Sequence, residues 1–155
     1  MQRYIQLIIL FLPLFLLAIL IYGYDYGSRD RSFEKVVING TEFTVDIADT
    51  PDKREKGLSG QPGLAEDMAM LFIFEHPGIY GFWMKDMKFP IDIIWIKNNK
   101  IIGFEKNIPP KSYPKAFYPE LEVDMVLEVT AGTVDKFNFM VGDAVYFSSM
   151  GVELP

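Results

Sequence analysis

Residues 91–96, which read IDIIWI, most constrain how this 155-residue chain can fold. An apolar run this short, with Pro90 before it and Asn98-Asn99 after it, is typical of a buried strand, and the asparagine pair predicts a hairpin to the next strand. The run contains one charge, Asp92. A carboxylate in a buried strand needs a partner or a cleft. The run therefore predicts a sheet with a central strand and an interior acid that requires an explanation.

The segment before this strand, residues 82–88, mixes aromatic and charged side chains. In an extended chain alternate side chains share a face, so Trp83 and Lys85 fall on one side and Asp86 on the other. A tryptophan ring stacks on sugars and other planar or apolar groups, and a neighbouring cation can orient a hydroxyl or a carboxylate. Trp83 beside Lys85 is thus a candidate binding site; the alternative is a core tryptophan with surface ion pairs.

Turn and cap signals place the first elements of the chain. Asn39-Gly40 lies between two apolar segments and predicts a hairpin with a type I′ turn, which needs positive φ at both central residues. Thr50 before Pro51 predicts a helix N-terminus, and we expect this short helix to end at Gly57. The chain therefore begins its globular part with two strands and a helix.

Short apolar or alternating segments predict the remaining strands. These are residues 70–74, 82–84, 91–96, 101–104, 121–129 and 144–147. In the fifth segment acids alternate with Leu or Val, which predicts a half-exposed strand with Glu122, Asp124 and Glu128 facing water. A second short helix is expected over residues 134–137. Prolines in residues 107–119 remove backbone donors, so that segment is predicted to be an ordered surface loop without regular pairing.

About eight short strands and two short helices predict a mainly β fold. A compact, partly closed small barrel would limit the number of exposed strand edges. The length allows one globular domain, residues 33–155. The chain has no cysteine and a single histidine, which excludes disulfides, thiol nucleophiles and multi-histidine metal sites. We accordingly predict no cofactor and no metal.

The N-terminus predicts a membrane anchor. Residues 4–24 are almost wholly apolar, close to the ~20 residues that a spanning helix needs. No A-x-A-like cleavage pattern follows, so we interpret residues 1–26 as an uncleaved signal anchor, with a cleaved signal or a core helix as alternatives. Residues 27–32 form a short linker. Arg29 and Arg31 oppose export of the domain by the positive-inside rule, but the N-terminal position of the span and the lack of cysteine favour an extracytoplasmic domain.

The charge balance bears on possible partners. The net charge is −6 and the sequence has no basic cluster. Nucleic acids and anionic lipids are bound by Lys and Arg that displace counterions, so both are disfavoured as partners by charge.

The stretch FWMKDMKFPIDIIWI, residues 82–96, resembles the signature of the domain-of-unknown-function 192 family, which typically reads FWMKNT, two further residues, and PLDIIFI. Three further segments match family motifs in the same order, namely Arg54, Gly57 and Leu58 (RxxGL), residues 69–74 (GMLFxF) and residues 126–145 (VLEL, AG, GD and V). The sequence departs from the family pattern at Ser59, Ala69 and Asp86. The resemblance implies a fold and motif positions, not a reaction.

These observations predict an extracytoplasmic, membrane-anchored module that binds an envelope glycan or peptide without catalysis. The candidate site residues are Arg54, Trp83, Lys85 and Asp92. One alternative is a hydrolase that acts on envelope glycan through paired carboxylates, Asp92 and a second acid. Another alternative is a protein assembly partner, which would present an exposed apolar patch around Trp83 instead of a concave pocket.

Overall fold

The computed structural model describes residues 35–148, which carry nine strands and two α-helices. The strands are β1 (Lys35–Ile38), β2 (Thr41–Ala48), β3 (Met68–Gly78), β4 (Phe82–Trp83), β5 (Ile91–Lys97), β6 (Lys100–Ile108), β7 (Ala116–Phe117), β8 (Val123–Thr130) and β9 (Val145–Ser148). The helices are α1 (Pro51–Lys56) and α2 (Thr133–Lys136), and a 3-10 turn covers Pro110–Ser112. The predicted anchor and linker lie outside the described residues. Within residues 35–148, no helix has the length and apolarity to cross a membrane.

Seven strands form one sheet in the order β6-β5-β8-β3-β2-β1-β9, and only the β2–β3 pair is parallel. The sheet curls until its two edges meet at one end. There the Val145 N–H donates to the Asn99 carbonyl at 2.9 Å, and the Ile101 N–H donates to the Asp143 carbonyl at 3.0 Å. The mainly β fold with two short helices is therefore confirmed, as a sheet curled into a half-barrel.

Both hairpins predicted at asparagine-containing turns are present. Asn39 and Gly40 have φ of 49° and 77° and join β1 to β2, while Asn98 and Asn99 have φ of 51° and 58° and join β5 to β6. Left-handed backbone at both central positions gives a turn whose twist matches that of the paired strands. Asparagine and glycine adopt this conformation at the lowest cost.

The first helix begins and ends as its sequence predicts. The Thr50 hydroxyl accepts a hydrogen bond from the Lys53 N–H at 3.3 Å, and Pro51 occupies the first helical position. Gly57 follows the helix with φ 48°, and a Cβ at Gly57 would lie 3.3 Å from the ring of Phe72. Glycine is required at this position for its conformation and for the close approach of α1 to β3.

The sheet is buried on both faces. One hydrophobic core packs beneath α2 and the segment after it and includes Val134 and Phe139. The other packs beneath the segment that follows α1 and the small β4–β7 sheet, and it includes Leu58, Phe82 and Phe117. Because β5 and β8 are central strands, their side chains have little access to water on either face.

The Pro-rich segment differs from its prediction at four residues, because Asn107 and Ile108 belong to β6 and Ala116 and Phe117 form β7. Ala116 and Phe117 pair with Trp83 and Phe82 to form the two-stranded β4–β7 sheet. Neither residue is a proline, so each keeps the N–H that pairing requires. The Pro-rich segment is thereby fixed against residues 82–83, the start of the family signature.

Asp92 is fully buried, and the backbone satisfies both of its carboxylate oxygens. Oδ1 accepts the Asn107 N–H at 2.7 Å, and Oδ2 accepts the Val134 N–H at 3.0 Å. Asn107 lies where the β5–β6 register shifts, and Val134 lies in the first turn of α2, whose N-cap residue Gly132 has no side chain. Asp92 therefore serves as the cap of α2 and fixes the irregularity in β6.

Replacement of Asp92 is expected to destabilise the domain. Asp92→Asn puts an NH₂ group against one of two buried N–H donors, and we expect a loss of about 2–4 kcal/mol in the free energy of unfolding, measured by urea denaturation. Asp135→Asn is the control, because Asp135 makes a surface pair with Lys106, and its loss should cost less than about 1 kcal/mol. Equal midpoints for the wild type and Asp92→Asn would contradict this role.

Candidate functional site

A cavity of about 180 Å³ lies between α1 with its following residues, strand β3 and the residues around β4. Its walls are mostly apolar and aromatic, formed by Leu58, Phe72, Phe74, Tyr80, Phe82, Trp83 and Met87. Four basic or acidic side chains also line it, namely Arg54, Glu55, Lys56 and Glu128. The cavity therefore combines π surfaces with a few polar groups, which is the composition of small-molecule sites in proteins.

The aromatic walls are held by their own packing. Phe74 stacks on Tyr80 with ring centroids 3.6 Å apart and planes 6° apart. Phe72 meets Phe82 edge-to-face at 4.9 Å, and the Tyr80 hydroxyl donates to the His76 carbonyl at 2.7 Å. Stacked and edge-to-face rings are favourable arrangements of the aromatic quadrupole, so the walls are in place without a ligand.

Arg54 positions α1 against the sheet. Its Nη1 donates to the Asp49 carbonyl at 2.7 Å and to the Ile73 carbonyl at 2.8 Å, and its guanidinium lies over the Phe74 ring at 5.3 Å. Among the described residues it forms no ion pair with a carboxylate, and the carboxylate of Asp92 is bound instead by the N–H groups of Asn107 and Val134. Arg54 thus builds one side of the cavity and retains its positive charge there.

Trp83 and Lys85 meet at a second, more open hollow of about 340 Å³. Trp83 is 46% exposed and lines both this hollow and the aromatic cavity, so the two spaces adjoin at its ring. The remaining lining residues of the hollow are Asp52, Glu55, Lys56, Ser59 and Asp86. A ligand that places one group in the aromatic cavity therefore has room for the rest of itself along Trp83.

The loop that carries Lys85 is fixed by backbone contacts. The Ser59 hydroxyl donates to the Lys85 carbonyl at 2.8 Å, and the Gly60 N–H donates to the Asp86 carbonyl at 2.9 Å. Asp86 itself has φ 57°, in the left-handed region. Asparagine, the usual residue here in the family signature, adopts that region readily, and aspartate also tolerates it. The requirement at Asp86 is therefore conformational.

Asp92 does not join the other three predicted site residues. In the β5–β8 register Asp92 pairs with Val129 and Ile93 pairs with Glu128, so the two acids project from opposite faces of the sheet. Asp92 lines neither cavity, because both of its oxygens face backbone N–H groups of α2 and β6. The structure brings together Arg54, Trp83 and Lys85 and places Asp92 in the core beneath α2.

Glu128 is the buried acid that lines the cavity, and its predicted exposure is wrong. It is only 5% exposed, because β8 is a central strand and Glu128 lies between Met70 and Ile93 of its two neighbours. No hydrogen bond or ion pair is made by its carboxyl within residues 35–148. Burial alone raises the pKa of Glu128 to about 8, from an ordinary value of 4.5. One sequence signal for Glu128 was available, since it lies within the VLEL-type motif of residues 126–129.

The cavity therefore contains a carboxyl group with a raised pKa. At neutral pH the raised pKa keeps Glu128 mostly as a carboxylic acid, which both donates and accepts hydrogen bonds. A cation that enters would favour the ionised form instead. Within the described residues, no three His, Asp or Glu side chains are grouped as metal ligands. The chemistry available at the site is therefore hydrogen bonding, ion pairing and proton transfer by Glu128.

The buried acid is expected to make stability depend on pH. The folded state keeps the Glu128 proton up to about pH 8, whereas the unfolded state loses it near pH 4.5. The contribution of this proton to the free energy of unfolding is therefore complete below pH 4.5 and is lost as the pH rises to about 8. The loss should approach about 1.4 kcal/mol per pH unit. Urea denaturation of Glu128→Gln, which cannot ionise, should show a flatter profile than the wild type between pH 5 and 8.

The control for this profile is Glu122→Gln. Glu122 has an exposed side chain and a 3.8 Å contact to Lys97, so its neutral variant should keep the slope of the wild type. Parallel profiles for the wild type and Glu128→Gln would mean that Glu128 is hydrated or paired and does not lie unpartnered in the cavity.

Comparison with known proteins agrees with this fold. A crystal structure from Sinorhizobium meliloti, described as a "putative transcription regulator", is 28% identical with a TM-score of 0.71, and the match covers 78% of this chain and 98% of that one. A protein of unknown function from Novosphingobium aromaticivorans, 23% identical, shares the fold with a TM-score of 0.69 over 77% of this chain and 91% of that one. No curated protein matches the sequence. The model of DUF192, described as "Uncharacterized ACR", matches residues 34–147, and the chain therefore belongs to the domain-of-unknown-function 192 family.

Proposed function

We propose that this protein is a membrane-anchored, extracytoplasmic binding module that receives one group of an envelope glycan or peptide in its aromatic cavity. The observation that carries the proposal is Glu128, an acid that is 5% exposed, has no partner among the described residues and lines an open cavity. A buried polar group without a partner is rare in proteins and costs stability. A ligand that pairs with Glu128 would remove that cost.

The size of the cavity limits what it can hold. About 180 Å³ is less than the ~300–1,000 Å³ of sites for drug-sized molecules and close to the ~150 Å³ of an apolar cavity that accepts benzene. One ring or one amino-acid side chain fills such a space. The adjoining hollow beside Trp83 and Lys85 would then take the next part of a longer ligand.

Two other roles agree less well with the site. A protein assembly partner would use a convex apolar patch at Trp83, whereas Trp83 lines a concave space. Transcription regulation, suggested by the description of the S. meliloti protein, would need a surface for nucleic acid. The net charge of −6 and the absence of a basic cluster in the sequence do not favour that role.

One observation favours a second function, glycan hydrolysis. Two carboxyl groups line the same cavity, Glu128 with its raised pKa and Glu55 at the exposed rim on α1. Glycosidases combine a protonated acid with a second carboxylate in this way. In this version the pair is Glu55 and Glu128, and Asp92 takes no part. Glycan cleavage by the wild type that is abolished in Glu128→Gln and in Glu55→Gln would establish it.

The binding function is tested by calorimetric titration of the full chain in lipid nanodiscs with envelope glycan fragments and peptides, with empty nanodiscs as the blank. We expect saturable binding that weakens about tenfold or more in Trp83→Ala, because a ring that contacts the ligand is a typical energetic centre of an interface. Tyr146→Ala is the matched control, since Tyr146 is similarly exposed at 49% and lies on β9, away from both cavities. Equal losses in the two variants, or no binding by any compound, would contradict the proposal.

A further inference from the structure

We propose that the group received by the aromatic cavity is an alkylammonium, the chemistry of a lysine side chain, with the Glu128 carboxylate as its ionic partner. The inference rests on the proposed function, because it names the ligand of the same site. It follows from the position of Glu128, the character of the walls and the placement of the other charges at the cavity.

Among the residues that line the cavity, Glu128 is the buried acid whose carboxyl has no partner within residues 35–148. It comes from the sheet side of the cavity, between Met70 and Ile93, whereas Arg54, Glu55 and Lys56 come from α1. A carboxyl oxygen accepts hydrogen bonds, and an ammonium supplies three donors. Ion pairing in a site shielded from water is much stronger than at the surface, provided that the geometry is good. A bound cation would therefore give Glu128 a partner that the described residues do not supply.

The walls favour a cation on an apolar stem. Faces of aromatic rings carry negative partial charge and attract ammonium groups, most strongly at tryptophan. Five aromatic residues line the cavity, and Leu58 and Met87 complete an apolar surface. The methylene stem of lysine would be buried well here, whereas the hydroxyl groups of a sugar would lose their hydrogen bonds to water. For this reason we choose the lysine type of amine over an amino sugar.

The other ionisable groups of the cavity do not cancel this preference. The Arg54 guanidinium is held by two backbone carbonyls and the Phe74 ring, so it serves the attachment of α1. Lys56 and Glu55 are exposed neighbours at the rim with opposite charges. Tyr80 donates its hydroxyl to the His76 carbonyl and stacks on Phe74. Of the two acids that line the cavity, Glu55 is exposed at the rim and Glu128 is buried, so Glu128 is the acid that an inserted cation would meet.

Binding of an ammonium changes the protonation of Glu128. Below about pH 8 the empty site holds a carboxylic acid; when the ammonium binds, the acid gives its proton to the solvent, and the pair RNH₃⁺ and carboxylate remains. The O–H bond of the acid breaks and its proton passes to water, while no bond to carbon or nitrogen changes. The apparent affinity for the amine should therefore rise with pH, roughly tenfold per unit below the pKa of Glu128. A neutral ligand of the same size should show no such rise.

The test compares n-butylammonium with 1-butanol and butyrate, which also have four carbons but differ in charge, and with glucosamine. Affinities are measured by calorimetry on the full chain in nanodiscs at pH 6, 7 and 8 and constant ionic strength. We expect n-butylammonium to bind about tenfold or more tightly than 1-butanol at pH 8. Glu128→Gln should remove the preference for n-butylammonium and its pH dependence. Continued binding of 1-butanol to this variant would show that the cavity is intact. The control variant Glu122→Gln should match the wild type.

Each alternative result has a definite meaning. If 1-butanol binds as well as n-butylammonium, the inference fails and the binding function stands. Tighter binding of butyrate would also overturn it and assign the site to an anion at Arg54. Binding of glucosamine without n-butylammonium would show an amino sugar ligand and reject the lysine type. If neither these probes nor the glycans and peptides bind, the inference and the proposed function fail together.

Discussion

The pairing of β5 with β8 places two acidic residues at neighbouring register positions in a sheet that is covered on both faces. Side chains of a strand alternate, so Asp92 points beneath α2 and Glu128 points toward α1 and β4. Burial of a carboxylate is costly unless hydrogen bonds or opposite charges compensate it. Hydrogen bonds compensate the burial of Asp92, whereas Glu128 has no partner among the described residues. We therefore assign a structural role to Asp92 and a functional role to Glu128.

Asp92 belongs to the architecture. Two short bonds from backbone N–H groups satisfy its carboxylate and connect β5 to the irregular part of β6 and to α2. Other residues of the family motifs have similar structural roles. Asp143 accepts hydrogen bonds from the Met140 N–H and the Asn39 side chain and so links two turns, and Gly57 allows the close approach of α1 to Phe72. Much of the family signature thus consists of residues that stabilise the fold of the half-barrel.

Glu128 has no such structural role among the described residues. Its carboxyl meets no donor or cation within residues 35–148, it lines a cavity with aromatic walls, and its burial favours the protonated form at neutral pH. Strongly perturbed acids in clefts are concentrated at functional sites, because a site that binds or reacts requires groups that are not already satisfied. Trp83 and Lys85 extend the same region toward solvent, which gives a ligand a path out of the cavity.

Local sequence signals predict local structure well in this chain. The asparagine turns, the Thr50 cap and the Gly57 stop depend on neighbouring residues only, and they are found where the sequence places them. Alternation also assigns Glu128 correctly to the face opposite Leu127, but it does not reveal that α1 and β4 cover that face. The partners of Asp92 lie 15 and 42 residues away, so only the folded chain brings them to it. The grouping of Arg54, Trp83 and Lys85 likewise depends on long-range packing. The family motifs pointed to these residues, whereas the chemistry of each residue alone does not show that they lie close together.

The most direct measurement is an NMR titration of the Glu128 side-chain carboxyl carbon, with Glu128→Gln used for assignment. Its chemical shift reports the ionisation of this one group in the folded protein. A midpoint near 8 that falls when n-butylammonium is added is the expected result, because burial favours the acid and a bound cation favours the carboxylate. A midpoint near the ordinary value of 4.5, unchanged by the amine, would show that Glu128 is satisfied without a ligand and would contradict its role as the centre of a binding site.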